Sequence, residues 1–227
     1  MARHLNCIIP AKTNSTRVLN KNWREFSGGL SLVELTIEKL VRAGINVADI
    51  YVSCEDEEVA GPVCDKYGTI LLVRPSHLCS NDANFGIWMQ TTIGQVYKNK
   101  DYDVAWCQVC DPLFDGYADC FDIWEEIKSN FDSLVVCYER KLYLMDDHSR
   151  PIKWSFGSHH TKGQDLPVWR LMPFTLSIFP SGYMPDYHAG LKPYWFVAEN
   201  IHVDIDNEED FLLAQIIYER LRNGHNF

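Results

Sequence analysis

The sequence predicts an α/β domain with a mostly parallel sheet, and three observations carry that prediction. Short segments with an apolar centre, at 7–9, 49–53 and 69–73, alternate with segments of helical period. This order of strand, helix, strand, helix and strand favours parallel strands joined by right-handed crossovers. A polar and basic stretch, residues 10–22, directly follows the first apolar run. Because ligands of such Rossmann-like sheets bind at the carboxyl ends of the strands, we expect a ligand site at this stretch.

Composition limits the classes of protein to be considered. With 227 residues, 46% of them hydrophobic, the chain is expected to form one domain, residues 1–227, with a substantial core. No apolar run approaches the ~18 to 20 residues of a membrane span, and the first residues lack the apolar stretch of a secretion signal, so we expect a cytoplasmic protein without a membrane partner. The 21 Lys and Arg are outnumbered by 31 Asp and Glu, which argues against nucleic-acid binding. The eight cysteines are expected to be buried, reduced thiols.

The first element is a short strand that leads into a basic loop. Residues 7–9 are apolar, and Pro10 cannot donate to a sheet ladder, so the strand is expected to end there. The small polar residues 13–15 can turn tightly and leave backbone N–H groups pointing at an anion. Three cationic side chains accompany them, namely Lys12, Arg17 and Lys21. Two interpretations stay open at this point: a solvated basic loop, or a cradle for a triphosphate.

The next elements complete the parallel unit. Ser31 and Glu34 form a capping box in front of a helix over 31–43. A strand at 49–53 is followed by a helix that Gly68 ends, and then by the strand at 69–73. Further helices are predicted at 83–97, 115–129 and 211–221, with strands at 103–109 and 132–137.

Residues 139–175 break this order. Their first part is polar and weakly periodic, and it is too long for an ordinary connection. We interpret the segment as an insertion that carries function or pairs with a second subunit. Its histidines allow three interpretations: a metal site, a solvated loop, or contact with an anionic ligand.

Carboxylates follow two apolar segments and suggest a Mg²⁺ site. Asp111 comes just after the predicted strand 103–109, where it could bind a metal ion or cap the next turn. Asp204 and Asp206 are two residues apart, so in a strand both would face the same side. Such a pair is costly unless a cation lies between the carboxylates. Asp210 is instead expected to cap the last helix.

Several motifs, in this order, resemble the CMP-sialic acid synthetase (acylneuraminate cytidylyltransferase) family. The N-terminal signature is matched by Pro10-Ala11-Lys12-x-x-Ser15-x-Arg17-x-x-x-Lys21-Asn22. Later motifs are matched by Arg74-Pro75-x-x-Leu78, Gln108-Val109-Cys110-Asp111-Pro112-Leu113, Gln164-Asp165-Leu166-Pro167-x-Trp169-Arg170 and Asp204-Ile205-Asp206-x-x-x-Asp210-Phe211. The resemblance covers roughly residues 5–220.

The resemblance implies an activity and a role for each matched residue. The reaction would be transfer of CMP from CTP to a sialic acid-like keto acid, with release of pyrophosphate and with Mg²⁺ as cofactor. Lys21, Arg17 and Asp206 would be catalytic, and the metal ligands would be Asp111, Asp204 and Asp206. CTP would be bound by Pro10, Ala11, Lys12, Asn14, Ser15, Asn22, Arg74 and Gln108. Insertion 139–175 would form a homodimer and close the acceptor site, with Gln164, Trp169 and Arg170 contacting the acceptor.

The sequence also departs from the family pattern. Lys12 stands in place of the usual Arg, and Thr13 and Asn14 replace glycines. On the acceptor side, the family's Asn-Gly pair is replaced by Met172-Pro173. Another small anionic acceptor, such as a phosphonate, is therefore one alternative, and a non-catalytic nucleotide-binding relative is a second. A glycosyltransferase is disfavoured, because its acidic metal pair would be expected in the middle of the chain.

Overall fold

The computed structural model describes residues 3–80, 82–97 and 102–224. The strands are β1 Leu5–Pro10, β2 Glu25–Ser27, β3 Leu30–Ser31, β4 Ile50–Cys54, β5 Ile70–Val73, β6 Asp103–Cys107, β7 Ser133–Lys141, β8 Val168–Leu171, β9 Leu176–Phe179 and β10 Pro193–Val197. The α-helices are α1 Leu32–Arg42, α2 Glu57–Tyr67, α3 Phe85–Tyr97, α4 Tyr117–Ile127 and α5 Glu208–Arg222.

One large sheet organises the fold, with strand order β10-β7-β9-β6-β1-β4-β5 and with β8 paired to β7. The neighbours β6, β1, β4 and β5 are all parallel, as are β7 and β10. Strand β9 runs antiparallel between β6 and β7. The prediction of a Rossmann-like, mostly parallel α/β sheet is confirmed. The chain winds outwards from β1 in both directions, and such a reversal of strand order opens a crevice at the carboxyl ends.

Helices cover both faces of the sheet and make three layers. Cys7 and Ile9 of β1 join a large core with residues of α1, α4 and α5, while Ile8 faces a second core formed with α3. The alternation follows from the period of two in a strand. Because β1 is buried on both faces, it is apolar throughout its central residues.

The local signals that predicted the first helices are present in the structure. Ser31 caps α1, and its side chain and that of Glu34 form the reciprocal capping box. Helix α2 ends at Gly68, which has φ +75° and therefore adopts the left-handed conformation that glycine accepts without strain.

The C-terminal acidic segment corrects one prediction. Residues 202–206 are not part of a strand. The Ile205 N–H donates to the carbonyl oxygen of Cys110, three residues beyond the end of β6, at 2.9 Å. Asp210 lies in the first turn of α5, where its carboxylate accepts the Asn207 N–H within a capping box. Asp210 thus takes part in the cap as predicted, although Asn207 is the N-cap residue.

The segment predicted as an insertion leaves and re-enters the sheet through paired strands. Strand β7 continues to Lys141, beyond its predicted end, and β8 returns antiparallel beside it. Residues 142–167, between these strands, are called the arm below; they contain two short 3₁₀ turns and a single bridge between Met145 and Pro151. The assignment of 139–175 as an insertion in one domain, residues 1–227, stays a prediction.

Two further features complete the fold. All eight cysteines are free thiols, and only Cys110 is partly exposed. Among residues 3–80, 82–97 and 102–224, no helix is both long and apolar enough to cross a membrane.

Candidate active site

A cavity of about 610 Å³ opens at the carboxyl edge of the sheet, beside the ends of β1, β5 and β6. Nine of the residues predicted to bind substrate or metal line it: Pro10, Lys12, Ser15, Arg17, Lys21, Asn22, Arg74, Gln108 and Asp206. Cations from the basic loop therefore face the same space as a carboxylate from the C-terminal acidic segment. This arrangement suits a polyanion that is bound together with a cation.

Two side chains hold the basic loop in place. Asn22 is buried, and its Nδ2 donates to Lys12 O at 2.9 Å, which closes the loop on itself. Lys21 Nζ donates to Ile205 O at 2.6 Å. Because Ile205 lies between the two aspartates of the acidic segment, this bond ties the cationic loop to the carboxylates.

Thr13 is anchored by Glu55, at the end of β4. The backbone N–H and the hydroxyl of Thr13 both donate to Glu55 Oε1, each at 2.9 Å. Glu55 Oε2 lies 3.6 Å from Arg74 Nη2. Burial alone would raise the pKa of Glu55, but hydrogen bonds from its own N–H and from Thr13, together with the Arg74 charge, lower it below its usual value. A threonine in place of the family's glycine thus fixes the loop through its side chain.

Arg74 is the most buried charge of the cavity wall. Its residue is 5% exposed, and its guanidinium stacks over Trp88 with Cζ 4.6 Å from the ring centroid. Nε and Nη2 are buried, and neither donates a hydrogen bond to any of the described residues. Buried N–H groups without hydrogen bonds are energetically costly, so Nε and Nη2 of Arg74 are available to an acceptor atom of a ligand in the cavity.

The acidic side of the cavity is formed by Asp206 and Asp204. Asp206 Oδ1 lies 2.6 Å from Arg17 Nη2. Burial raises the pKa of Asp204, and the charge of Asp206 raises it further, against the effects of a hydrogen bond with Cys110 and of the Lys21 charge. The two carboxylates are therefore near enough to repel each other, and a cation would relieve that repulsion.

Asp111 lies apart from the cavity wall. The residue is 3% exposed, and its Oδ2 accepts hydrogen bonds from the Tyr138 hydroxyl at 2.8 Å and from Thr175 Oγ1 at 3.0 Å. In the part of the chain that the structure describes, no three His, Cys, Asp or Glu side chains are grouped to hold a metal ion. The predicted set of three metal ligands is thus not assembled, and the magnesium site stays a prediction that rests on Asp204 and Asp206.

Two residues predicted to bind CTP are placed outside the cavity lining. Ala11 is fully buried, and its N–H donates to Ser53 O at 2.9 Å, so it fixes the start of the loop. Asn14 is exposed on the loop. Neither residue lines the cavity, although backbone contacts with a ligand stay a prediction for both.

The predicted acceptor residues lie in or beside the arm rather than at the cavity. Arg170 on β8 pairs with Glu139, with Nε 3.2 Å from Oε1. Lys153 Nζ lies 5.5 Å from the ring centroid of Trp169. Neither Arg170, Trp169 nor Gln164 lines the cavity of this chain, so their role toward an acceptor stays a prediction.

The structure adds cavity residues that the sequence analysis missed. Phe85 and Trp88, from the first turn of α3, form an aromatic wall with ring centroids 5.0 Å apart. Their spacing of three on a helix could have indicated a shared face, but not which ligand that face meets. The other additions are Thr16, Cys79, Ser80 and Ala83, together with three residues that the motifs contained without an assigned role, namely Leu78, Val109 and Cys110.

Comparison with known proteins agrees with the motifs. Residues 6–95 match a family model described as cytidylyltransferase. The chain is 25% identical to a pseudaminic acid cytidylyltransferase from Campylobacter jejuni subsp. jejuni over 232 aligned residues, which cover 94% of this chain and 95% of that relative. The resemblance inferred from the motifs is confirmed by these two findings.

Solved structures support the same fold. A CMP:2-keto-3-deoxy-manno-octonic acid synthetase complexed with CTP superimposes with a TM-score of 0.62 at 11% identity, covering 96% of this chain and 99% of that one. A 4-diphosphocytidyl-2C-methyl-D-erythritol synthase from Anaerococcus prevotii gives a TM-score of 0.59 at 14% identity, with coverage of 96% and 99%.

Proposed function

We propose that this chain, a CTP-dependent cytidylyltransferase, transfers CMP from CTP to an acidic sugar and releases pyrophosphate. One observation carries the proposal: three cations of the basic loop and the carboxylate of Asp206 face one cavity at the carboxyl edge of the sheet. The match of residues 6–95 to the cytidylyltransferase family model supports the activity. The relative from Campylobacter jejuni, named for pseudaminic acid, supports an acidic sugar as the acceptor.

The residues of the basic loop would hold the triphosphate. Lys12, Arg17 and Lys21 supply positive charge where negative charge builds up on the departing pyrophosphate. Arg74, whose Nε and Nη2 make no hydrogen bond to the described residues although Nη2 lies 3.6 Å from Glu55 Oε2, would complete its hydrogen bonds on the nucleotide. Catalysis would then consist of positioning and charge stabilisation, which suffice for much of phosphoryl-transfer chemistry.

The reaction is a single displacement at the α-phosphorus of CTP. A hydroxyl oxygen of the acceptor forms a bond to this phosphorus, and the bond to the oxygen that bridges the α- and β-phosphates breaks. The bonding electrons leave with pyrophosphate, and the hydroxyl proton passes to water. We assign no side chain as general base.

Magnesium is part of the proposal. The chemistry of the donor set fits this ion, because Asp206 lines the cavity and Asp204 is destabilised as an anion by burial and by Asp206. When bound, Mg²⁺ would neutralise charge on the phosphates. The chain's own contribution is to hold the two carboxylates beside the basic loop through the bond from Lys21 to Ile205 O.

The arm is proposed to complete the acceptor site across a homodimer. Gln164, Trp169 and Arg170 do not line the cavity of their own chain, so in this proposal they contact the acceptor bound by a second copy. Light scattering after size-exclusion chromatography tests the dimer, and deletion of the arm, residues 142–167, should give a monomer. Arg170→Ala should raise the KM for the acceptor at least about fivefold without changing the KM for CTP. A monomeric full chain with normal turnover would contradict this part of the proposal.

We also propose a cytoplasmic location, because the CTP that the reaction consumes is a cytoplasmic metabolite.

The deciding experiment is pyrophosphate release from each of the four nucleoside triphosphates, with Mg²⁺, against a panel of acidic sugars and small phosphonates. We expect release only with CTP and an acidic sugar. Release with a phosphonate alone would replace the proposed acceptor class. Binding of CTP without release across the panel would favour a non-catalytic relative.

A further inference from the structure

His188 lies immediately behind the cavity wall and contacts one cavity residue. It belongs to the connection between β9 and β10 and is 2% exposed. Its Nε2 lies 3.2 Å from Nε2 of Gln108, which lines the cavity. Its Nδ1 is buried and has no hydrogen-bond partner in the described ranges. The imidazole therefore directs its single polar contact at Gln108.

An aromatic clamp fixes the plane of the imidazole. The ring of His188 lies between Phe85 and Phe174, with centroid distances of 4.7 Å and 4.5 Å and interplanar angles of 33° and 34°. Close packing of the chain brings the ring there, because a Cβ on Gly86 would lie 2.8 Å from Asp186 O. A side chain so enclosed cannot rotate away from Gln108.

The backbone at Phe174, next to the His188 ring, is strained, and the residue that follows it hydrogen-bonds to Gln108. Phe174 has φ +61°, which is uncommon for a bulky residue and costs about 1 kcal/mol or more. The next residue, Thr175, accepts the Gln108 N–H on its carbonyl oxygen at 2.9 Å. Residues 174–175 thus fix the main chain of Gln108 directly and its side chain through His188.

The protonation state of His188 sets the polarity of the contact. Burial lowers the pKa of His188 to about 3, so the ring is neutral at neutral pH. A neutral imidazole has one donor and one acceptor nitrogen. With Nε2 as the acceptor, Gln108 donates one amide hydrogen to it, and its Oε1 and second amide hydrogen stay available to a ligand.

We propose that His188 is a positioning residue that holds the Gln108 carboxamide in one orientation toward the bound substrates. The inference rests on the proposed function, since the ligands of Gln108 are the substrates of that reaction. Without His188, the amide could flip, and its donor and acceptor groups would exchange places in the cavity. His188 would act on substrate recognition without touching a substrate.

The kinetic test is a double-mutant cycle with His188→Phe and Gln108→Met. Phenylalanine keeps a flat ring in the clamp but cannot accept a hydrogen bond. Each single variant should raise the KM of the same substrate roughly tenfold. Because both variants remove the same contact, the KM of the double variant should lie within about twofold of the KM of Gln108→Met. His4→Phe is the matched control, because His4 is exposed and lies just before β1, outside the cavity lining. It should change the KM of neither substrate. Independent effects that multiply, or a normal KM in His188→Phe, would overturn the proposal.

Nitrogen-15 NMR of the His188 ring supplies a test that needs no turnover. We expect an unprotonated Nε2 from pH 5 to 9, with a resonance that shifts in Gln108→Met. A ring that titrates near pH 6.5, or one that ignores the Gln108 substitution, would overturn the pairing. If the unmodified chain releases no pyrophosphate with any substrate, the proposed function fails, and this spectrum still decides the role of His188.

Discussion

Arg17 and Asp206 form an ion pair at the cavity wall, with Arg17 Nη2 2.6 Å from Asp206 Oδ1. The side chains are 68% and 53% exposed, so the pair adds little to stability. Each partner is also assigned to a bound group, Arg17 to the triphosphate and Asp206 to a metal ion. The pair therefore keeps together the two groups that we propose bind the triphosphate and the metal ion, and it can separate at small energetic cost.

The first prediction concerns Asp206→Asn. Turnover should fall by about 10² to 10³, because the variant removes a carboxylate where charge must be balanced in the transition state. The free energy of unfolding should change by less than about 0.5 kcal/mol, since the side chain is exposed. Initial rates and urea unfolding measure the two effects.

A neighbouring ion pair supplies the control for Asp206. Arg24 lies 2.6 Å from Glu208, and its guanidinium packs over Phe211, but neither charged residue lines the cavity. Glu208→Gln should leave turnover unchanged. If Glu208→Gln lowered turnover as much as Asp206→Asn does, the loss would follow from a change of surface charge and not from a role of Asp206 in the cavity.

The second prediction concerns Lys21→Met. CTP should bind at least about tenfold more weakly, since a charge-assisted bond to phosphate is lost together with the tether to Ile205 O. Calorimetry with CTP measures the change. Lys66→Met is the matched control, because Lys66 pairs with Glu34 on the helical layer. Equal affinity for CTP in Lys21→Met and the unmodified chain would remove Lys21 from the phosphate site.

The third prediction uses the pH dependence of Glu55→Gln. A carboxyl whose pKa is lowered by folding stabilises the protein above its unfolded pKa, near about 4.3, and loses that effect as the pH falls through its folded value. The unmodified chain should therefore be more stable than the variant at pH 7, and the difference should shrink below about pH 4. Thermal unfolding across this range measures it, and a difference that stays constant with pH would contradict the assignment.

The fourth prediction concerns Asp204→Asn. Because folding raises the pKa of Asp204, its ionised form opposes folding at neutral pH, and the neutral amide should raise the melting temperature. Turnover should nevertheless fall by about 100-fold or more, because a metal ligand is lost. A variant with lower stability and normal turnover would show that the carboxylate is structural.

Much of the fold could be predicted because its signals are local. The capping box of Ser31 and Glu34 and the left-handed Gly68 mark helix ends within a few residues of sequence. Strand β9 could not be placed in the same way, because its position between β6 and β7 depends on pairing with strands distant in the chain. Residues 204–206 lie outside the strands for a related reason: a strand needs a neighbour to pair with, and that neighbour is distant in the sequence.

The site was predictable where a motif is continuous in sequence. The basic loop supplies Lys12, Arg17 and Lys21 within one short stretch, and all three line the cavity. Trp88 and His188 reach the site through packing between α3 and the connection after β9, which no local pattern encodes. For Asp111, the position after β6 predicted a metal ligand. Local sequence could not show that Tyr138 of β7 and Thr175 both donate hydrogen bonds to its carboxylate.

The placement of β9 beside β7 has a consequence for how this enzyme could diversify. The arm leaves at the end of β7, and the chain returns through β8 to β9, so both ends of the excursion enter adjacent strands of one sheet. A change in the arm's length or composition therefore costs little loop-closure entropy and leaves the basic loop untouched. The proposed acceptor residues Gln164, Trp169 and Arg170 all lie within residues 142–171. Thr175, by contrast, lies outside that range and holds Gln108 and Asp111 through hydrogen bonds. If the acceptor residues act as proposed, replacement of residues 142–171 would change the acceptor and leave the residues of the basic loop unaltered.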